Sequence, residues 1–346
     1  MQTMQALVFY GPGDIRIEKR PIPEINSGEV LIKVKMAGVC GTDIRIFRGT
    51  KKIAAPRIIG HEFAGDIVAL GAAVGDYKVG DRVTVYPTIT CGECYACRAG
   101  RANICVNRIT LGYELDGGFA EYVKIPATAV LNGNISKLPD AVSYELGAAS
   151  EPLTAAYNGM TRTNLEKGQS ILIVGAGPIG LCHVQLAKAR GAGMILVAEP
   201  QAEKRALATL LGADYVIDPA TEDIHARIKE LTSGVGMDVV IVDVGLPKVI
   251  EESMEHLKKG GTYVIFAGSP VGSKISIDPN LIHYKELLVT GASAATPAYQ
   301  REILKMIADG KFDLKTLITD IFPLEDWRKA FEMKGNYQGL KTLLRL

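Results

Sequence analysis

Ile171-Leu172-Ile173-Val174 runs straight into Gly175-Ala176-Gly177-Pro178-Ile179-Gly180. An apolar β-run breaks into G-x-G-x-x-G, and a helical stretch follows from about Pro178 to Arg190. Gly175 allows a tight turn, Gly177 lets the backbone approach a pyrophosphate, and Gly180 lets the helix pack close to the strand. Pro178 and Ile179 open the helix, whose free N–H groups and partial positive charge face the phosphates. A glycine cluster alone is a weak signal, since ordinary turns contain them. Here a second strand, Ile195-Leu196-Val197-Ala198, ends in Glu199, close to the spacing at which an acidic residue reaches the adenosine ribose. A carboxylate there accepts from the ribose hydroxyls and repels a 2′-phosphate, which favours NAD. Lys204 and Arg205 lie beside it, Arg205 as a further coenzyme contact, and they keep NADP as the alternative.

Outward from this turn the pattern stays β-α-β. Met194–Ala198 is followed by a helix over about 202–211, and Val216-Ile217, Val239–Val242, Tyr263–Phe266 and Leu287–Val289 continue the strands. Such alternation predicts a parallel sheet with helices on both faces. Towards the N-terminus the pattern changes near Tyr144. Residues before it read as short strands punctuated by Gly and Pro, among them Val30–Met36, Phe63–Val68 and Arg82–Val85, which predicts a barrel-like β-domain. The tail, about 296–346, has two helical stretches and a final apolar run, Leu340–Leu346. The expected organisation is 1–153 (β-rich), 154–292 (coenzyme-binding) and 293–346 (a closing segment).

The 346 residues include 47% hydrophobic and 22% charged types, with a formal net charge of +1. That balance gives no general attraction to nucleic acid or to an anionic membrane. No segment approaches the roughly 20 apolar residues needed to span a bilayer. The N-terminus has no basic start, apolar stretch and cleavage site in sequence, so the expected location is the cytoplasm.

Four of the six cysteines crowd together as Cys91, Cys94, Cys97 and Cys105. An intracellular chain keeps thiols reduced, so the cluster points to metal before disulfides. Four thiolates close a tetrahedral shell around Zn²⁺ and leave no open position, which makes the site structural. An iron–sulfur cluster is the rival, since its loops also use C-x2-C-x2-C; the wide last gap and the lack of Pro after Cys105 weigh against it. Elsewhere, Cys40, His61 and Glu151 are each unremarkable alone. A buried Cys is usually a small apolar residue, and His183, His225, His256 and His283 read as ordinary residues of helical stretches. A catalytic zinc needs about three protein ligands and an open position. Cys40, His61 and a carboxylate would supply them, but spacing does not bring them together.

Gly38-Val39-Cys40-Gly41-Thr42-Asp43, Gly60-His61-Glu62, the cysteine loop, Glu151-Pro152 and Gly175–Gly180 occur in one order. With them the whole chain resembles the zinc-containing medium-chain alcohol dehydrogenase family. The resemblance implies a GroES-like β-rich catalytic domain, a Rossmann domain and a C-terminal segment returning to the catalytic domain. Glu151-Pro152 resembles the sorbitol (polyol), threonine and butanediol dehydrogenase branch. It implies a catalytic zinc at Cys40, His61 and Glu151, with Glu62 as a direct ligand, an exchanging ligand or a partner through water. Thr42 matches the hydroxyl residue that takes the alcohol proton. Gly291-Ala292-Ser293 resembles the segment beside the nicotinamide. Relatives are usually dimers or tetramers, so a homo-oligomer is implied.

The expected reaction is hydride transfer between NAD and a secondary alcohol: a polyol, a polyol phosphate or a vicinal diol, with threonine-type or butanediol dehydrogenase as the alternative. A catalytically idle member and a metal-free reductase on the same fold fit less well, because the apparent zinc ligands and Thr42 are retained. One departure stands out. Many relatives place a proton-relaying His where this chain has Arg45, and a permanently charged Arg cannot relay a proton. Arg45 is either a surface residue or a receptor for a substrate phosphate or carboxylate.

Overall fold

In the computed structural model, which describes residues 2–346, the Val30–Val39 strand is the spine of the first unit. That unit comprises Met1–Thr154 and Ala294–Leu346. Its larger sheet runs Ile135–Lys137, Arg82–Val85, Glu62–Leu70, Val30–Val39, Lys341–Arg345, Ile318–Pro323, and Tyr122–Ile125 also pairs with the spine. A smaller sheet joins Asp14–Pro21, Thr3–Gly11 and Arg57–Ile58. The spine is buried along most of its length, which is why it reads as a nearly continuous apolar run. Ile32, Val34, Phe63, Val83 and Phe119 share one core with Trp327 and Phe331 of the C-terminal segment.

Two registers matter later. Gly38 lies opposite Glu62 on one side and opposite Leu343 on the other, both antiparallel. The strands are longer than their apolar cores suggest: Val30–Val39 where the sequence predicts Val30–Met36, and Glu62–Leu70 where it predicts Phe63–Val68. The extra residues include Ala37, Gly38 and Glu62, poor strand formers held by their partners in the ladder. The tail's apolar run becomes the Lys341–Arg345 strand, and its two helices are Pro297–Ala308 and Trp327–Gly335.

The second unit, Ala155–Ser293, holds six parallel strands. Their spatial order is Tyr215–Ile217, Met194–Ala198, Ser170–Val174, Met237–Val242, Leu257–Ile265, Leu288–Gly291. Read in chain order this is 3-2-1-4-5-6, the doubly wound arrangement that opens a crevice where the order reverses, between the first and fourth strands. The glycine-rich turn sits at that point, between Val174 and the Pro178–Ala189 helix, with Gly177 as the helix's N-cap. His183 of this helix is fully buried; its Nδ1 lies 2.8 Å from Asp243 and its Nε2 3.0 Å from the Ala156 carbonyl, so it is a hydrogen-bonded core residue. Among the described residues no helix is long and apolar enough to cross a membrane.

Gly180 and Gly177 face different constraints. A Cβ on Gly180 would lie 1.9 Å from the Gly175 carbonyl oxygen, whereas one on Gly177 would meet nothing within 4 Å. Gly180→Ala is therefore expected to cost about 1–3 kcal/mol of stability through overpacking. Gly177→Ala should leave the thermal midpoint within a degree or two but weaken NADH binding, because its open side is the one a pyrophosphate would use. Thermal melts and NADH titrations of both variants check this; a Gly177→Ala protein that binds NADH normally would contradict it.

Candidate metal centres and coenzyme turn

The first site is assembled around the start of a short helix. Cys40 precedes the Gly41–Phe47 helix as its N-cap, and the Asp43 carboxylate accepts the Cys40 backbone N–H at 2.8 Å. His61 comes just before the Glu62–Leu70 strand, and Glu62 is that strand's first residue. The ligand atoms of Cys40, His61 and Glu62 all lie within 4.8 Å of one another. His61 and Glu62 are buried, with Cys40 half-buried at the opening.

Charge around this cluster is unbalanced. Glu62 is 1% exposed and Asp43 0%. One Glu62 oxygen is paired with the buried Lys341 ammonium, while Oε1 accepts no hydrogen bond. Asp43 Oδ1 is equally unsatisfied and lies 3.6 Å from His61 Nδ1. Buried carboxylate oxygens without partners are costly. Burial works against a charged His61, yet Tyr113, Cys40 and Asp43 outweigh it and hold its pKa well above the ordinary value. Burial likewise works against a charged Lys341, but Glu62 and Cys40 hold its pKa up. The pocket therefore favours positive charge. A soft thiolate, an imidazole and a carboxylate form a donor set that suits Zn²⁺, and Asp43 stands 3.6 Å from His61 Nδ1, the side on which such ligands carry a supporting carboxylate. The residues fit a zinc ion.

Glu151 stands outside this cluster. It lies half-buried on the Tyr144–Arg162 helix. Burial, and then repulsion from Glu62, push its carboxyl up to about 7. It is thus an electrostatic neighbour of the three clustered residues. Thr42 is half-buried on the Gly41–Phe47 helix, and Arg45 is exposed one turn further along it.

Three neighbours escape a reading of the sequence. Asp43 carries its signal only as the end of the Cys40 motif. The Tyr113 ring lies 5.1 Å from the His61 ring, with its hydroxyl 3.4 Å from Nδ1. Lys341, 279 residues from Glu62, has no local signal at all. Gly38 explains how the ion pair fits: a Cβ there would lie 2.1 Å from Glu62 Oε2 and 2.9 Å from the Lys341 stem. The pair occupies the space a side chain would take.

The second site is the cysteine loop, where all four sulfurs lie within 4.8 Å of one another. Cys94–Cys97 and Cys91–Cys105 are 3.5 Å apart and Cys94–Cys105 3.9 Å. A tetrahedral shell with Zn–S of about 2.3 Å requires S···S of about 3.8 Å. A disulfide would bring sulfurs to about 2.05 Å, and a cluster with iron and sulfide between the cysteines would hold them further apart. Backbone N–H groups of Cys97 and Val106 lower the Cys94 thiol to about 6, whereas burial and its thiol neighbours push Cys97 up to about 12. A divalent ion removes that conflict by taking all four as thiolates.

At the glycine-rich turn, Glu199 is buried at the end of its strand. Its carboxylate accepts the Ala176 N–H at 2.8 Å and the Gln201 N–H at 2.9 Å. Arg205 donates to the Glu199 and Pro200 carbonyls, both at 2.8 Å, and pairs with Asp218 at 3.1 Å. All three contacts run through Nη1.

The family model for the alcohol dehydrogenase GroES-like domain matches residues 26–139, and that for the zinc-binding dehydrogenase matches residues 178–309. The chain is 36% identical over 336 residues to a sorbitol dehydrogenase of Bacillus subtilis (strain 168), covering 96% of this chain and 93% of the relative. It is 37% identical over 342 residues to an L-threonine 3-dehydrogenase of Pyrococcus horikoshii, covering 96% and 95%. A solved structure of a zinc-binding dehydrogenase from Sinorhizobium meliloti 1021, bound to NADP, superposes with a TM-score of 0.92 at 32% identity and full coverage of both chains.

Metal analysis of single variants separates the two centres. Zinc-loaded protein should carry two equivalents per chain. Cys97→Ser should lose the loop zinc alone. Gly38→Ala should lose the other alone, because the added methyl displaces the Glu62–Lys341 pair. Loss of both ions in Gly38→Ala with its fold intact would contradict this assignment.

Proposed function

This chain belongs to the zinc-binding alcohol dehydrogenase family, and from that premise we propose that it is an NAD-linked dehydrogenase oxidising a secondary alcohol of polyol type. The observation that carries the reading is the Cys40–His61–Glu62 cluster with its unsatisfied buried carboxylate oxygen. Zinc held there by Cys40, His61 and Glu62 would supply Lewis-acid polarisation of the alcohol oxygen, and a nicotinamide coenzyme held at the Gly175–Gly180 turn would supply the hydride acceptor.

The chain's own residues do the rest. Asp43 orients His61 and favours the tautomer that leaves the other ring nitrogen free for metal. Lys341 fixes one oxygen of Glu62 and leaves Oε1 as the ligand atom. In this reading Glu151 and Glu62 share the role of carboxylate ligand, and a carboxylate in place of a second thiolate gives a harder site suited to a substrate with two oxygens. Thr42 accepts the hydrogen bond of the alcohol and passes its proton outward. Arg45 stays charged and takes no part in that relay. The Cys91–Cys94–Cys97–Cys105 zinc folds its loop and has no open position for substrate.

NAD is favoured over NADP by Glu199 and Arg205 together. Gly175, Gly177, Pro178, Ile179 and Gly180 receive the pyrophosphate in this reading. A 2′-phosphate would then face the Glu199 carboxylate, with Arg205 already engaged by Asp218. Sorbitol and L-threonine, named in the relatives, each carry a secondary carbinol, and the proposal commits to that centre.

The test is NADH formation by zinc-loaded protein on sorbitol, galactitol, arabitol, their phosphates, 2,3-butanediol and threonine. Turnover of one class, lost in Cys40→Ser and at least about a hundredfold slower in kcat/KM with NADP, equivalent to about 2.7 kcal/mol, is expected. No turnover on any of them by protein with both zincs in place would refute the activity.

A further inference from the structure

The loop after the Gly41–Phe47 helix folds back on itself. The backbone N–H groups of Thr50 and Lys51 both donate to the Arg45 carbonyl, at 2.9 and 3.0 Å. This brings Lys51 back beside the start of the loop and over the site. Its ammonium lies 3.3 Å from the centroid of the Tyr113 ring, and that ring in turn packs 5.1 Å from His61. One aromatic ring therefore separates the ammonium from a metal ligand. Among the described residues neither Lys51 nor Arg45 forms a side-chain ion pair. Lys51 is half-buried. Burial lowers its pKa, Glu114 offsets this in part, and Arg45 adds to it.

A half-buried ammonium on an aromatic face gains most from an incoming anion, since the ring offers it only the weaker attraction of a π-face. The opposite charge lies close by. Glu62 is a ligand, Asp43 stands beside His61 and Glu151 beside Glu62, so the ligand pocket itself offers carboxylates and no free cation to a substrate anion. An anionic substrate needs a cation at the rim of this pocket, and Lys51 and Arg45 are the loop's two candidates. A neutral polyol needs neither.

Building on the dehydrogenase reading above, we propose that Lys51, together with Arg45, binds a terminal oxyanion, phosphate or carboxylate, carried by the substrate away from the carbon that is oxidised. Lys51 is then a specificity-determining residue. The Tyr113 ring holds its ammonium and ties its position to His61.

The test compares matched pairs on zinc-loaded protein with NADH present, so that no turnover perturbs the heat: D-arabitol 5-phosphate against D-arabitol, and galactonate against galactitol, by calorimetry. Wild type should bind at least one anion about ten- to a hundredfold more tightly than its neutral twin, the scale of a charged hydrogen bond. The phosphate and carboxylate arms show which oxyanion fits. Lys51→Met, which removes the ammonium and keeps an unbranched side chain, should cut that preference at least about tenfold, and Arg45→Met should cut it in the same direction. Lys51→Arg should keep most of it. In kinetics the Lys51→Met effect should fall on KM for the anion and little on kcat. Equal binding of anion and twin by wild type, no binding of either anion, or a preference that survives Lys51→Met would overturn the proposal. Preserved preference without NADH formation on any substrate would strike the dehydrogenase reading and leave this one standing.

Discussion

Glu62 is a buried carboxylate at the first position of an internal strand, with one oxygen on Lys341 and the other without a hydrogen bond, 4.0 Å from His61 Nε2. Around it stand Cys40, Asp43 and Glu151, each able to carry negative charge, against one lysine. A low-dielectric pocket does not tolerate that excess, and a protein must either protonate the groups or bind a cation. The raised pKa values of His61 and Glu151 are the protonation answer in the absence of metal. A divalent ion at the Cys40–His61–Glu62 cluster is the other answer, and it uses the same atoms.

This constraint also explains features of the fold that local packing does not. Lys341 arrives on the Lys341–Arg345 strand, paired next to the spine, so the C-terminal segment closes the sheet and supplies the counter-charge in one step. The ladder places Gly38 opposite Glu62, and the absent side chain makes the room for the ion pair. Asp43 caps the Cys40 N–H with one oxygen and turns the other toward His61. Segments near residues 40, 61 and 341 are thereby locked to one another through charge as well as through backbone pairing.

Much of this was legible in the sequence because it obeys local rules. The G-x-G-x-x-G turn follows a strand and opens a helix, and the four cysteines lie in one loop, so spacing alone indicates each. Parallel strands such as Ser170–Val174 and Met194–Ala198 are apolar runs and read directly, whereas Leu257–Ile265 opens on Lys258-Lys259-Gly260-Gly261 and shows only its apolar end. The edges of the spine were not legible: Ala37, Gly38 and Glu62 lack strand propensity and are held by partners remote in sequence. Lys341 gives no signal because an isolated lysine near a C-terminus is ordinarily solvated, and only the sheet register reveals its burial. The clustering of Glu62 rather than Glu151 with Cys40 and His61 is a matter of tertiary distance, which motif order does not encode. Tyr113 and Lys51 likewise acquire meaning only when the loops carrying them meet beside His61.

The central claim is that one zinc is held by a single thiolate with nitrogen and oxygen donors, distinct from a second held by four thiolates. X-ray absorption at the zinc edge of the fully loaded protein tests it most directly. The account predicts a mixed first shell of five sulfur ligands shared by two ions, with Zn–S near about 2.3 Å and the remaining N/O ligands at about 2.0–2.2 Å. A shell of sulfur alone, or one with no more than four sulfurs for two zincs, would contradict it.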